Sequence, residues 1–144
     1  MKKIVKATIA LLASIIVFVL TGCFPQESLV VKESDTYIVI TVSNDQMQIT
    51  DQTTLVDYMH SLKNDGQLSF EMDDGMVSSI NGIDNPSDYS SCWMLYTSDT
   101  ENANSAWGTI EYNQNVYGSA IFGAESLKIK DGCIYIWFFK SFKP

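Results

Sequence analysis

The chain has 144 residues with 17 acidic and nine basic side chains, for a formal net charge of −8. That length leaves room for one domain at most. All nine basic residues are lysines, and this acidic, arginine-free balance argues against a nucleic-acid partner, whose phosphates require Lys and Arg, and against a basic patch gripping anionic lipid.

Lys2, Lys3 and Lys6 form a positive n-region, and residues 7–20 are a nearly unbroken apolar run. A spanning helix needs roughly 20 apolar residues, so the run better suits the apolar region of a secretory signal. It ends in Leu20-Thr21-Gly22-Cys23. This Leu-x-Gly-Cys pattern resembles the lipobox of bacterial lipoproteins. The resemblance implies that residues 1–22 are a lipoprotein signal peptide, that the Cys23 thiol is alkylated with diacylglycerol, and that the mature chain sits on the outer face of the bacterial cell membrane. Two or more acyl chains hold firmly where one binds only marginally. From Cys23 onward six lysines face all 17 acids, a formal net of −11, which reads as the solubility of an exported domain. Residues 24–35, with Pro25 and mixed charges, read as a tether. The expected division is therefore 1–22 signal, 23–35 lipidated cysteine and tether, and 36–144 domain.

Tyr37-Ile38-Val39-Ile40-Thr41-Val42 is a β-branched, aromatic run and predicts a strand; Asn44-Asp45 supplies a turn. Thr50-Asp51 can start a helix by accepting an orphan backbone N–H. Leu55, Met59 and Leu62 then recur on one face, and Asn64-Asp65-Gly66 stops it, so a single amphipathic helix is predicted over 51–64. Strands follow at 68–72 and 76–80 around the hairpin turn Asp73-Asp74-Gly75. Asn81-Gly82 turns again, and 84–88 is loop. Cys92-Trp93-Met94-Leu95-Tyr96 predicts a buried strand. Residues 98–105 are polar and read as exposed, and weaker strands follow at 107–112 and 117–122. After the turn Asp131-Gly132, Ile134-Tyr135-Ile136-Trp137-Phe138-Phe139 is apolar enough to lie in the sheet centre, buried on both faces. One helix on a mixed sheet is an α+β domain.

No catalytic constellation appears. The only imidazole, His60, falls in the predicted helix and reads as a surface residue rather than a base. Asp73 and Asp74 sit on a tight turn, where acids serve the turn itself. Asp99 and Glu101 lack the offsets of a calcium loop and read as solvated loop acids. Cys92, Cys133 and His60 are too few for a metal site; the two cysteines are either a disulfide or two buried thiols. Trp93 and Trp137 read as core. Trp107 follows a polar loop beside Gly108, and Tyr112, Tyr117 and Phe122 come next with Gly118 and Gly123 interleaved. Exposed aromatics beside glycines can form a contact surface for a ring-bearing ligand, a sugar or a protein; the alternative is that they fill the far face of the sheet.

The order of pieces resembles a known family. Thr54-Leu55-Val56-Asp57-Tyr58-Met59 is followed by Met76-Val77-Ser78-Ser79-Ile80-Asn81-Gly82, then Cys92-Trp93-Met94-Leu95-Tyr96, then Lys130-Asp131-Gly132-Cys133-Ile134-Tyr135-Ile136-Trp137. This is similar to the transcobalamin-like C-terminal domain, bacterial versions of which are often lipoproteins and largely a domain of unknown function. The resemblance implies a β-grasp-like fold, a sheet curling around one helix. It also implies a non-enzymatic ligand-binding module whose ligand is a corrinoid such as cobalamin, or a related small molecule. The rival expectation is a protein-interaction or adhesion module of a cell-envelope complex. Two departures stand out: a longer stretch between Tyr96 and Asp131, and Cys133 where the family carries an acid. The expected contact residues are Trp107, Tyr112, Tyr117 and Phe122.

Overall fold

The computed structural model describes residues 28–143; the expected leader, Cys23 and the first residues of the tether lie outside that range. In chain order the elements are β1 (Val30–Ser34), β2 (Tyr37–Thr41), α1 (Leu55–Asn64), β3 (Phe70–Asp73), β4 (Met76–Ile80), β5 (Ile83–Asp84), β6 (Ser91–Thr97), a 3-10 turn (Thr100–Asn102), β7 (Ala103–Tyr112), β8 (Asn115–Ala120) and β9 (Ile134–Ser141). One helix and nine strands among the described residues make the expected α+β domain. Six strands form one sheet in the order β1-β2-β9-β6-β8-β7, and β3-β4-β5 form a smaller one. The sheet, read from the sequence as mixed, is antiparallel at every pairing. A parallel neighbour needs a crossover back into the same sheet, whereas α1 leads from β2 into the smaller sheet.

The closing strand is where the sequence places it, between β2 and β6. Tyr135 and Trp137 pack on the helix side and Ile136 on the other, all buried. Against the first face α1 lays Leu55, Tyr58, Met59 and Leu62, each fully buried, worth about 1.5–3 kcal/mol per side chain. The helix begins later than expected. Thr54 is its N-cap: Thr54 Oγ1 accepts the Asp57 amide at 3.3 Å, and the Asp57 carboxylate accepts the Thr54 amide at 2.9 Å. This reciprocal capping box wins over Thr50, whose own amide donates to Thr53 Oγ1 in the preceding turn.

Two further differences concern the ends of the main sheet. Val30–Ser34, expected in the tether, form edge strand β1 on β2, and Leu29 and Val30 pack on the core. An edge strand carrying Lys32, Glu33 and Ser34 has too little apolar alternation to announce itself. At the other end the sheet rolls up on the face away from α1. The Tyr37 hydroxyl on β2 donates to the Glu111 carbonyl on β7 at 2.8 Å, and the Tyr37 and Tyr112 rings lie 6.3 Å apart. Four strand spacings in a flat sheet would be about 19 Å. The roll encloses a second cluster of Val39, Tyr96, Tyr117 and Ile136.

Candidate ligand-binding groove

β8 meets β6 only at Tyr96↔Ser119 and Thr97↔Gly118. From Ser91 to Leu95, β6 therefore has β9 on one side and no strand on the other. The opening is a groove of about 310 Å³ between β6, the small sheet and the chain just after β8. Asn85 fixes its width: Asn85 Oδ1 accepts the Trp93 amide at 2.9 Å, and Asn85 Nδ2 donates to the Val77 carbonyl at 3.0 Å. The Trp93 indole N–H donates to the Ile83 carbonyl at 2.8 Å, closing the same seam.

The groove has a buried floor and an exposed apolar rim. Trp93, Leu95 and Trp137 line it and are buried. Met76, Tyr89 and Phe122 line it too and are 55, 62 and 50% exposed. Six large hydrophobic side chains are exposed among the described residues, and half of them ring this one opening. Tyr89 is also held at φ +51°, a left-handed conformation that costs a bulky residue on the order of 1–3 kcal/mol and concentrates at ligand clamps. No charged side chain lines the groove. Cys92 lines it, and burial pushes its thiol pKa up, more than the Lys140 charge draws it down, so the thiol stays protonated.

Of the four aromatics expected to form a contact surface, the structure brings only Phe122 to this groove. Tyr117 is 8% exposed within the second cluster, with Tyr112 packed against it; both fill the rolled face of the sheet. Trp107 stands alone. Between Asn104↔Ser119 and Thr109↔Gly118, residues 105–108 of β7 have no partner. This bulge carries Trp107 outward, 63% exposed, with Gly108 at φ +133°. The bulge is pressed onto Gly118, where a Cβ would meet the Ser105 amide nitrogen at 3.1 Å.

Cys92 and Cys133 are free thiols, which corrects the disulfide alternative. Cys92 pairs with Lys140 on β9, whereas Cys133 immediately precedes that strand. The intervening length is about 23 Å at roughly 3.3 Å per residue, against roughly 4.4–6.8 Å between bridged Cα atoms.

Asp99 is not a solvated loop acid. It is 4% exposed and accepts Lys130 Nζ at 2.9 Å and Asn102 Nδ2 at 2.7 Å. Burial pushes its carboxyl pKa up, but the bonds from Lys130, Asn102 and the Glu101 amide together outweigh it and leave the pKa below the usual value. Lys130 also bonds Glu101 and is raised above the ordinary lysine range by both carboxylates. This cluster pins the 3-10 turn to the loop before β9. His60 is on the exposed side of α1 with its ring 4.9 Å from Phe70. Among the described residues no group of three or more His, Cys, Asp or Glu side chains is placed to hold a metal ion, and no helix is long and apolar enough to cross a membrane.

A scan against protein-family models finds no match to the chain, and searches of curated proteins and of solved structures find none either. The transcobalamin-like resemblance thus rests on the order of its motifs.

Proposed function

We propose that the protein is a non-enzymatic ligand-binding module, presented at the outer face of the bacterial cell membrane on a chain anchored through lipidated Cys23, and that the groove beside β6 is its binding site. The observation that carries this reading is an uncharged groove with a buried floor, rimmed by three exposed large hydrophobics. Ligand sites are concave, mainly apolar and few per protein, with volumes of roughly 300–1,000 Å³. This groove lies at the small end of that range. The family resemblance makes the ligand a corrinoid, of which such a groove would receive one edge; a single ring system would fit whole. The β-grasp-like description belongs to the same proposal. One helix packed on a curled sheet supports it, while the antiparallel pairings and the roll away from the helix depart from it.

The test is calorimetric titration of the full chain in lipid nanodiscs, with empty discs as the blank. The titrants are cyanocobalamin and the small aromatic ketone 2-acetylnaphthalene. Binding of either that is lost in Phe122→Glu supports the groove. No heat from either at high micromolar concentration overturns it.

A second reading, a protein-interaction module of the cell envelope, is favoured by Trp107 on a bulge of edge strand β7. Edge strands with an exposed aromatic anchor suit strand addition by a partner chain. Crosslinking in intact cells that depends on Trp107 and not on Phe122 would favour this reading over the groove.

A further inference from the structure

We infer that the groove takes an uncharged, mostly apolar ring-bearing group with an acceptor oxygen, either a whole molecule of one or two rings or one such edge of a larger one, and that the indole N–H of Trp137 donates to that oxygen. This rests on the groove being the ligand site and adds the chemical class of the ligand.

Trp137 lines the groove and is 4% exposed. Its Nε1 is the one buried side-chain nitrogen or oxygen among the described residues without a hydrogen-bond partner. Buried donors in folded proteins are paired almost without exception, and an unpaired one has given up its bonds to water for nothing. The same groove shows the ordinary solution: the Trp93 indole donates to the Ile83 carbonyl at 2.8 Å. An indole nitrogen can only donate, so its partner must be an acceptor, a carbonyl, ether or hydroxyl oxygen.

The surroundings set the rest of the ligand. The lining carries no charge, so a charged group would lose its hydration with nothing to pair against. Met76 and Met94 both line the groove. Their unbranched thioether chains adapt to irregular shapes, which suits a lining that must close around a ring. Tyr89, Trp93 and Phe122 offer aromatic surface to a flat ring.

The experiment compares two probes of one shape on the full chain in nanodiscs. These are 2-acetylnaphthalene and 2-isopropenylnaphthalene, in which a CH₂ replaces the carbonyl oxygen. The ketone is expected to bind about tenfold tighter, as one buried hydrogen bond gives, and this preference is expected to vanish or reverse in Trp137→Phe, where the carbonyl would leave water without gaining a donor. The anion 2-naphthoate is expected to bind at least about tenfold more weakly than the ketone. Equal wild-type affinities for the first two, both lost in Phe122→Glu, would overturn the role of the N–H and leave the groove standing. Naphthoate binding as tightly as the ketone would overturn the uncharged class. Binding of none would overturn this ligand class, and the groove falls with it where cyanocobalamin gives no Phe122-dependent heat either. The wild-type comparison decides the matter even if Trp137→Phe does not fold.

Discussion

Replacing Tyr58 by Phe tests how the helix is tied to the main sheet. Tyr58 is fully buried on α1. Its hydroxyl donates to the Thr41 carbonyl at 3.1 Å and accepts the Ser43 amide at 2.9 Å, so one side chain satisfies both polar groups where the chain leaves β2. Burial raises its pKa above the ordinary phenol value against the opposing pull of the Ser43 bond, so the group is a neutral donor at any pH of interest. The Phe variant keeps the ring and its packing and removes only the two bonds. A hydrogen bond contributes about 1 kcal/mol net, and a stranded partner costs about 1–3 kcal/mol. The expected loss is therefore about 2–3 kcal/mol, or a fall in Tm of roughly 8–12 °C for a domain of this size. Thermal melts followed by far-ultraviolet circular dichroism measure it. Tyr135→Phe is the control, because that hydroxyl accepts the Lys130 amide at a longer 3.3 Å; burial pushes its pKa up to about 12 against the bonds from Lys130 and Thr97. It should cost less than half as much. A Tyr58→Phe melt within about 2 °C of wild type would refute the assignment, since it would mean that Thr41 and Ser43 do not depend on this hydroxyl.

Asp99 gives a pH prediction. Its folded pKa is depressed, so its contribution is complete above the ordinary carboxylate value of about 3.9. It is lost as pH falls through the lower folded value. Plots of Tm against pH for wild type and Asp99→Asn should differ most near neutrality and converge in acid; parallel curves would contradict the cluster with Lys130. The free thiols predict that a reductant leaves the Tm unchanged, whereas removing a bridge typically costs about 2–5 kcal/mol; a clear fall would contradict the strand register between β6 and β9. Cys23→Ala should abolish incorporation of a fatty-acid label into the chain, and continued labelling would contradict the lipobox reading. Trp107→Ala should leave the Tm and any binding of 2-acetylnaphthalene unchanged, because the bulge lies outside the groove; loss of binding would move the site there.

The pattern-bearing parts of the fold were legible in the sequence. Residues 134–139 gave the central strand because apolar side chains on consecutive positions need burial on both faces. Asp74-Gly75 and Asn81-Gly82 gave two hairpin turns whose residues all have positive φ, the requirement of a tight two-residue loop. What stayed hidden depended on distant partners. The start of α1 was set by Asp57 reaching back to Thr54, a capping box with Asp in place of the usual Glu. β1 was masked by its polar residues. Tyr112 and Tyr117 looked available because nothing local reports that β7 curls over β2. The groove arises where β8 parts from β6, a matter of strand register that no single segment encodes. Tyr89 alone carried a local signal, an aromatic among Pro86, Ser87, Asp88 and Ser90. Asp99 looked solvated because its partner Lys130 is 31 residues away.

The most direct test of the groove is the indole region of a nitrogen-15 correlation spectrum of the tryptophan-labelled full chain in nanodiscs, recorded while 2-acetylnaphthalene is added. Trp93, Trp107 and Trp137 each contribute one indole resonance, assigned by single Phe substitutions. The groove reading predicts that the Trp137 and Trp93 signals shift on binding, with Trp137 moving downfield as its N–H gains an acceptor, while Trp107 stays put. Movement of Trp107 alone, or no movement at saturating probe, would contradict it.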